Sequence, residues 1–272
     1  NLQAPSTTDG IAIALGSGGV STSTFTGNEV VGATVTNNII GTVRAANTYS
    51  AIGIYLPSTT NTGTTLIANN MISGVNSNGT SGDLAAGIFI GGVVGTVNVL
   101  YNTVTMVGTF TGGAYPSFAF AAGSSTPTLN IKNNIFTSTG STGANLNSAM
   151  GFGFSTFTGV SSDNNDLVAT GTGAALVQTV NLTSSGATSY TAITGSGSWN
   201  AASSKDANSK NVAPVFNSAS DLHLVASDNS NLPLNASGTP VSVTSDFDCE
   251  ARDGSTPDIG SDEFSPPSCA GA

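Results

Sequence analysis

The stretches LIANNMISGV (residues 66–75), VLYNTVTMVG (99–108) and NIKNNIFTST (130–139) decide the fold, because each sets an Asn in the same apolar surroundings. Aligning Asn38, Asn70, Asn102, Asn134 and Asn165 gives steps of 32, 32, 32 and 31 residues. Three positions before each stand Val35, Ile67, Val99, Ile131 and Ser162, and five before stand Ala33, Thr65, Val97, Leu129 and Val160. Two after stand Ile40, Ile72, Val104, Phe136 and Leu167. A repeat of this length with apolar residues at fixed offsets marks a solenoid, whose units bury their apolar faces only by stacking.

Each repeat divides into short strands. The clearest copy reads as Gly87–Gly91, then Thr96–Leu100, a corner at Tyr101-Asn102, and Thr103–Val107. Asn suits such a corner because it tolerates left-handed backbone. Alternation recurs at Ile11/Ile13, Ile52/Ile54, Ile88/Ile90, Phe118/Phe120 and Phe152/Phe154, which predicts strands with one buried face. The segments are dense in Gly, Thr, Val and Asn, all poor helix formers. The expected fold is therefore all-β, a parallel β-helix of about five to seven coils. The first coil, around residues 16–36, carries either an insertion or a cap.

Residues 1–199 are assigned to the helix, with 1–10 as a polar lead-in. Residues 200–265 are assigned to a closing segment packed on the helix end, where an open strand edge must be covered. Residues 266–272 read as the start of a linker.

Only 7% of residues are charged, against roughly 25% in an ordinary domain. The net charge is −10 and the five basic residues are scattered, which argues against nucleic acid and anionic membranes as partners. No apolar run is long enough to span a bilayer. The chain shows no signal peptide or initiator Met, as expected of a processed or excised piece. Cys249 and Cys269 fit an extracellular disulfide, with two free thiols as the alternative.

The Asn-Asn corners resemble those of bacterial secreted right-handed parallel β-helix proteins of the pectate-lyase-like superfamily, over about residues 11–180. The tail, APVFNSASDLHL followed by SDFDCEARDGSTPDIGSDEF, resembles the closing segment of large secreted bacterial surface proteins, Bacteroidetes-like in character. Their D-x-D…R…P-D-I-G-x-x-E pattern falls on Asp246, Asp248, Arg252, Pro257, Asp258, Ile259, Gly260 and Glu263, with Cys249 where Gly is common. The resemblance implies an adhesin, cell-surface or filament component outside the cell. Such a module meets other domains of its own polypeptide, copies of itself, or surface glycans.

Reactive chemistry is sparse. Lys132 and Asp163 each stand two positions before a ladder Asn, so they should meet on adjacent coils. They are the only pair that a lyase or glycosidase reading can use; the alternative is a surface ion pair of about 0–1 kcal/mol. His223 is the sole histidine and should share a strand face with Asp221. Asp246, Asp248 and Glu250 alternate and suit a Ca²⁺ site; otherwise Arg252 pairs with Glu263 or Asp258 to lock the tail. No other cofactor is implied. An ice-binding face would need an outward Thr ladder, but the relevant positions read Gly41, Ser73, Thr105, Thr137 and Val168. Tyr49, Tyr55, Phe110 and Tyr115 either serve glycan binding or pack on the wall. The expectation is a non-enzymatic structural or adhesive module, with a carbohydrate-active enzyme or glycan-binding module as the alternative.

Overall fold

The computed structural model describes residues 2–4, 9–16, 20, 32–45, 49–57, 63–77, 83–92, 95–107, 116–140, 147–171, 173–183 and 186–267. The chain winds as a β-solenoid through three sheets, one strand in each sheet per turn. The first sheet contains Gly10–Ala14, Ala51–Leu56, Ala85–Ile90, Ser117–Ala122, Asn147–Phe152 and Ala175–Thr179, all parallel. Thr188–Tyr190 then pairs antiparallel with the last of these and ends the winding. The second sheet holds Thr34–Thr36, Thr64–Ala68, Thr96–Leu100, Thr128–Lys132 and Val160–Asp163. The third holds Leu2–Ala4, Ile39–Ala45, Met71–Ser77, Thr103–Met106, Ile135–Ser138 and Asp166–Ala169. The lead-in expected at 1–10 is thus partly a strand, Leu2–Ala4, registered on Val43–Ala45.

The ladder positions pair as their spacing requires. Ile67 registers with Val99, Val99 with Ile131, and Ile40 with Ile72. Val35, Ile67, Val99, Ile131, Ile72, Val104, Phe136 and Leu167 are all buried in one core that runs through the stack. Stacked rungs stand about 4.8 Å apart, so like side chains touch like side chains along the axis.

The first sheet departs from simple alternation. Ile54, Ile88 and Phe120 enter the central core, whereas Ile52, Tyr55, Phe89 and Phe118 form a second apolar cluster on the other side. The parity changes at Gly53, which points inward. A Cβ there would lie 2.4 Å from Gly87 O and 2.9 Å from Ile72 Cγ2, so only glycine fits without displacement. Outward residues therefore fall three apart, at 52 and 55, rather than two.

The corner between the second and third sheets also differs in detail from the sequence expectation. The left-handed residues are Asn37, Asn69, Tyr101, Asn133 and Asn164, each one position before the ladder Asn. The ladder Asn itself turns inward. Asn70 Nδ2 donates to Asn102 Oδ1 at 2.9 Å and to the carbonyls of Val35 and Ala68, while its backbone N–H also donates to Asn102 Oδ1. Asn38, Asn102 and Asn134 repeat the side-chain link at 2.9, 3.0 and 2.9 Å, giving a continuous amide chain. Buried amides remain affordable only when every donor and acceptor is paired, as here.

The chain then closes the end of its own ladder. Trp199 opens the short helix Trp199–Ser203 and stacks on Phe152 at 5.6 Å, covering the final slice of core. Asp206 takes the place of a next rung. It accepts Asn165 Nδ2 at 3.1 Å, Ser162 Oγ at 3.0 Å, Ser209 Oγ at 2.6 Å and Trp199 Nε1 at 2.8 Å. Burial pushes its carboxyl up while these donors pull it back. Lys210 continues the third sheet as a parallel bridge to Asp166.

Candidate functional site

Residues 213–264 do not sit on the helix end. They lie along its side as a strap, and its residues 237–247 cross the corner column in the reverse order of the rungs. Asn164 Nδ2 donates to Ser237 O, Asn133 Nδ2 to Thr239 O, Asn69 Nδ2 to Ser245 O, and Asn37 Nδ2 to Phe247 O, at 3.0, 2.7, 2.8 and 2.8 Å. The left-handed corner explains the geometry: it turns each of these side chains outward while its neighbour turns in. Tyr101 replaces Asn on the middle rung and donates its hydroxyl to Thr239 O at 3.2 Å.

Apolar seats flank this seam. On the third sheet, Ile135 is covered by Leu224, Leu234, Ile259 and Phe264. On the second, Ala68, Leu100 and Tyr101 receive Val241 and Val243. Fully burying such side chains contributes roughly 1.5–3 kcal/mol each. The Thr-ladder positions Ser73, Thr105, Thr137 and Val168 are buried, so no flat hydroxylated face is presented there.

Arg252 is the central polar joint. Its guanidinium lies 3.8 Å from the centre of the Tyr101 ring and is 8% exposed as a residue. Nη1 donates to Glu263 Oε2 at 3.2 Å, and Nη2 donates to Asn69 Oδ1 and the carbonyls of Gly260 and Ser261. Arg252 thus pairs with Glu263, as one expectation had it, but on the wall instead of the end. Asp258 is not its partner: its two oxygens accept Ala236 N at 2.6 Å and Phe264 N at 2.8 Å. Burial raises Asp258 to about 7.

The expected Ca²⁺ trio does not converge. Asp246 is buried and its oxygens accept the N–H groups of Asp248, Glu250 and Glu263, which folds the turn at 246–250. Glu250 points into solvent. Asp248 turns the other way, placing Oδ2 2.9 Å from His223 Nε2. The same imidazole contacts the Asp221 carboxylate through Nδ1, the expected partner, although residues 221–223 belong to no strand. Asp262 completes the group, and ligand atoms of His223, Asp248 and Asp262 lie within 4.8 Å of one another. Sequence spacing missed this cluster because its members are separated by up to 39 residues; spacing groups Asp248 with other partners, and the Asp-Leu-His-Leu alternation draws attention to His223.

Lys132 and Asp163 are neighbours in register, yet no ion pair joins them among the described residues. Asp163 instead accepts both the backbone N–H and Nδ2 of Asn208 at 2.8 Å. The segment at 206–212 lays down its own chain where the pair was expected to meet. A cavity of about 330 Å³ in the strap is lined by Asp253, Asp258 and Glu263 among others. All three carboxylates accept backbone N–H groups, so they serve the loop that carries them.

Tyr55 is fully buried and stacks on Phe89 at 5.2 Å, and Tyr49 packs against the core; neither offers a free aromatic platform. Phe110 and Tyr115 lie outside the described residues. Cys249 is an exposed free thiol, so the expected disulfide is not seen, and Cys269 lies outside the described residues. No helix among the described residues is long and apolar enough to cross a membrane. No family model, curated protein or solved structure matches the chain.

Proposed function

We propose that this chain is a non-enzymatic extracellular module, structural or adhesive, within a larger bacterial surface protein or filament. On this reading the solenoid is of the right-handed, pectate-lyase-like kind and the tail is the closing segment of such surface proteins. The observation that carries the proposal is the use made of polar groups. Asp166, Asp206, Asp246, Asp258 and Glu263 each accept hydrogen bonds that hold chain to chain. Lys132 and Asp163 remain unpaired with each other, and a lyase or glycosidase needs its groups gathered.

A rigid spacer must join something at its ends. At the first-coil end Ile39 is 63% exposed beside a cavity of about 280 Å³ lined by Ala12, Ile13 and Val43. That slice of apolar wall suits a further segment of the same polypeptide or another copy. Glycans are the expected surface ligand for an adhesive role. The test is turnover of uronate and neutral polysaccharides by the purified chain. No product is expected; product formation abolished by Lys132→Ala or Asp163→Ala would overturn the proposal in favour of a carbohydrate-active enzyme.

A further inference from the structure

We infer that His223, Asp248 and Asp262 form a binding site for one divalent transition-metal ion, zinc being the best fit, that staples three segments of the strap together. The inference is independent of the function proposed above.

The site is assembled from distant pieces, each fixed by its own contacts. Leu222 and Leu224 are buried, and burial alternates along 221–224 so that Asp221 and His223 lie on the less buried side. Asp248 is set by the turn that Asp246 ties. Asp262 is anchored by accepting Leu224 N–H at 3.2 Å, which leaves it beside the imidazole. Phe247 meets the imidazole edge-on at 5.6 Å.

Two further observations point to a ligand. First, Asp221 holds Nδ1, so a neutral imidazole keeps its proton there and presents the Nε2 lone pair toward the other two carboxylates. A carboxylate orienting the far nitrogen is the usual outer contact of a metal-bound histidine. Second, Nε2 is shielded from solvent and makes no well-aligned hydrogen bond, although Asp248 Oδ2 is only 2.9 Å away. Close approach without alignment leaves the nitrogen and the carboxylate oxygen facing a common point. Three carboxylates surround the ring with no Lys or Arg among them, and Arg252 is committed to Glu263.

The donor set selects the ion. One imidazole and two carboxylates suit zinc and its neighbours at bond lengths of about 2.0–2.2 Å. In a tetrahedron of that size donors stand about 3.4 Å apart, within the span of this cluster. Ca²⁺ asks for about six to eight oxygens, more than these residues supply. The Asp248 side chain is half exposed, leaving solvent access for water in the fourth position.

The test uses the tag-free chain, stripped with chelator and titrated with Zn²⁺, Co²⁺ and Ca²⁺. Expected are one equivalent of Zn²⁺ by calorimetry, visible absorption of tetrahedral Co²⁺ displaced by Zn²⁺, and a raised melting temperature with Zn²⁺. His223→Gln, Asp248→Asn and Asp262→Asn should each weaken binding at least about tenfold. Asp248→Asn is the safeguard against misfolding, because its exposed side chain should leave the metal-free melting temperature unchanged. Absence of stoichiometric Zn²⁺ binding, binding that survives His223→Gln, or preference for Ca²⁺ would each overturn the assignment.

Discussion

The wall and the strap solve the same problem in opposite ways. On the wall, one contact is repeated: each inward Asn bonds the next, and each apolar position meets its own kind one rung away. Within the strap, the joints that fix it differ from one another. Arg252 on Tyr101, Asp258 on the N–H groups of Ala236 and Phe264, and the His223 cluster each occur once. The outward corner residues connect the two, since a periodic column of Asn side chains grips an aperiodic chain. A repeat therefore loses stability in shared pieces, whereas a strap should come loose locally.

The largest effect is expected inside the wall. Asn102→Ala removes donors to Asn134, Ile67 O and Leu100 O, and the acceptor of Asn70. Stranding several buried polar groups costs about 4 kcal/mol. Chemical denaturation should show one cooperative transition at lower denaturant, with strap and wall amides losing exchange protection together. Separate transitions would break the picture of a single coupled stack.

Arg252→Ala should cost somewhat less, about 3 kcal/mol, by leaving Glu263 without its buried partner and Tyr101 uncovered. Its signature is location. Hydrogen exchange should rise across 237–262 while the strands at 96–106 stay protected. Arg252→Lys should rescue only part of the loss, because an ammonium cannot reach Asn69, Glu263 and two carbonyls in one plane.

These contrasts also explain what could be read from sequence. The wall was legible because its chemistry is periodic: Asn and apolar residues at fixed offsets predict both register and core. The ladder did not reveal which Asn of each pair turns inward, since Tyr101 alone hints that the left-handed position is the preceding one. The change of face at Gly53 was hidden because glycine leaves no hydrophobic signal. The strap's composition pointed to a closing role, but its position followed from contacts spanning as many as 210 residues, such as Asn37 to Phe247. Asp206, the ladder's terminal rung, stands outside the 32-residue spacing and so left no periodic signal.

Titration separates the regions by a smaller margin. Burial raises Asp166 at the last rung and Asp258 in the strap, each to about 7. The unfolded chain binds the same protons near pH 4. Between those values the folded state holds more protons, so its stability falls as pH climbs from about 4 to 7. The contribution is fully present below the unfolded value and is lost through the folded ones. Melting should therefore occur at higher temperature at pH 5 than at pH 8. Asp166→Asn should flatten the profile at the wall, and Asp258→Asn should flatten it in the strap.

The smallest effect is expected at Lys132, and it sharpens the comparison most cleanly. Spacing placed Lys132 beside Asp163, and the register agrees, yet Asp163 bonds Asn208 of the closing segment. An outward wall charge without a pair contributes within about 0.5 kcal/mol of nothing. Lys132→Ala should leave the denaturation midpoint unchanged, whereas Asp163→Ala should lower it by about 1 kcal/mol through loss of its two bonds to Asn208. If both substitutions destabilise equally, and the double mutant no more than either alone, the two residues are coupled across the rungs after all. Adjacency on a solenoid wall would then create an interaction that the closing segment has not taken away.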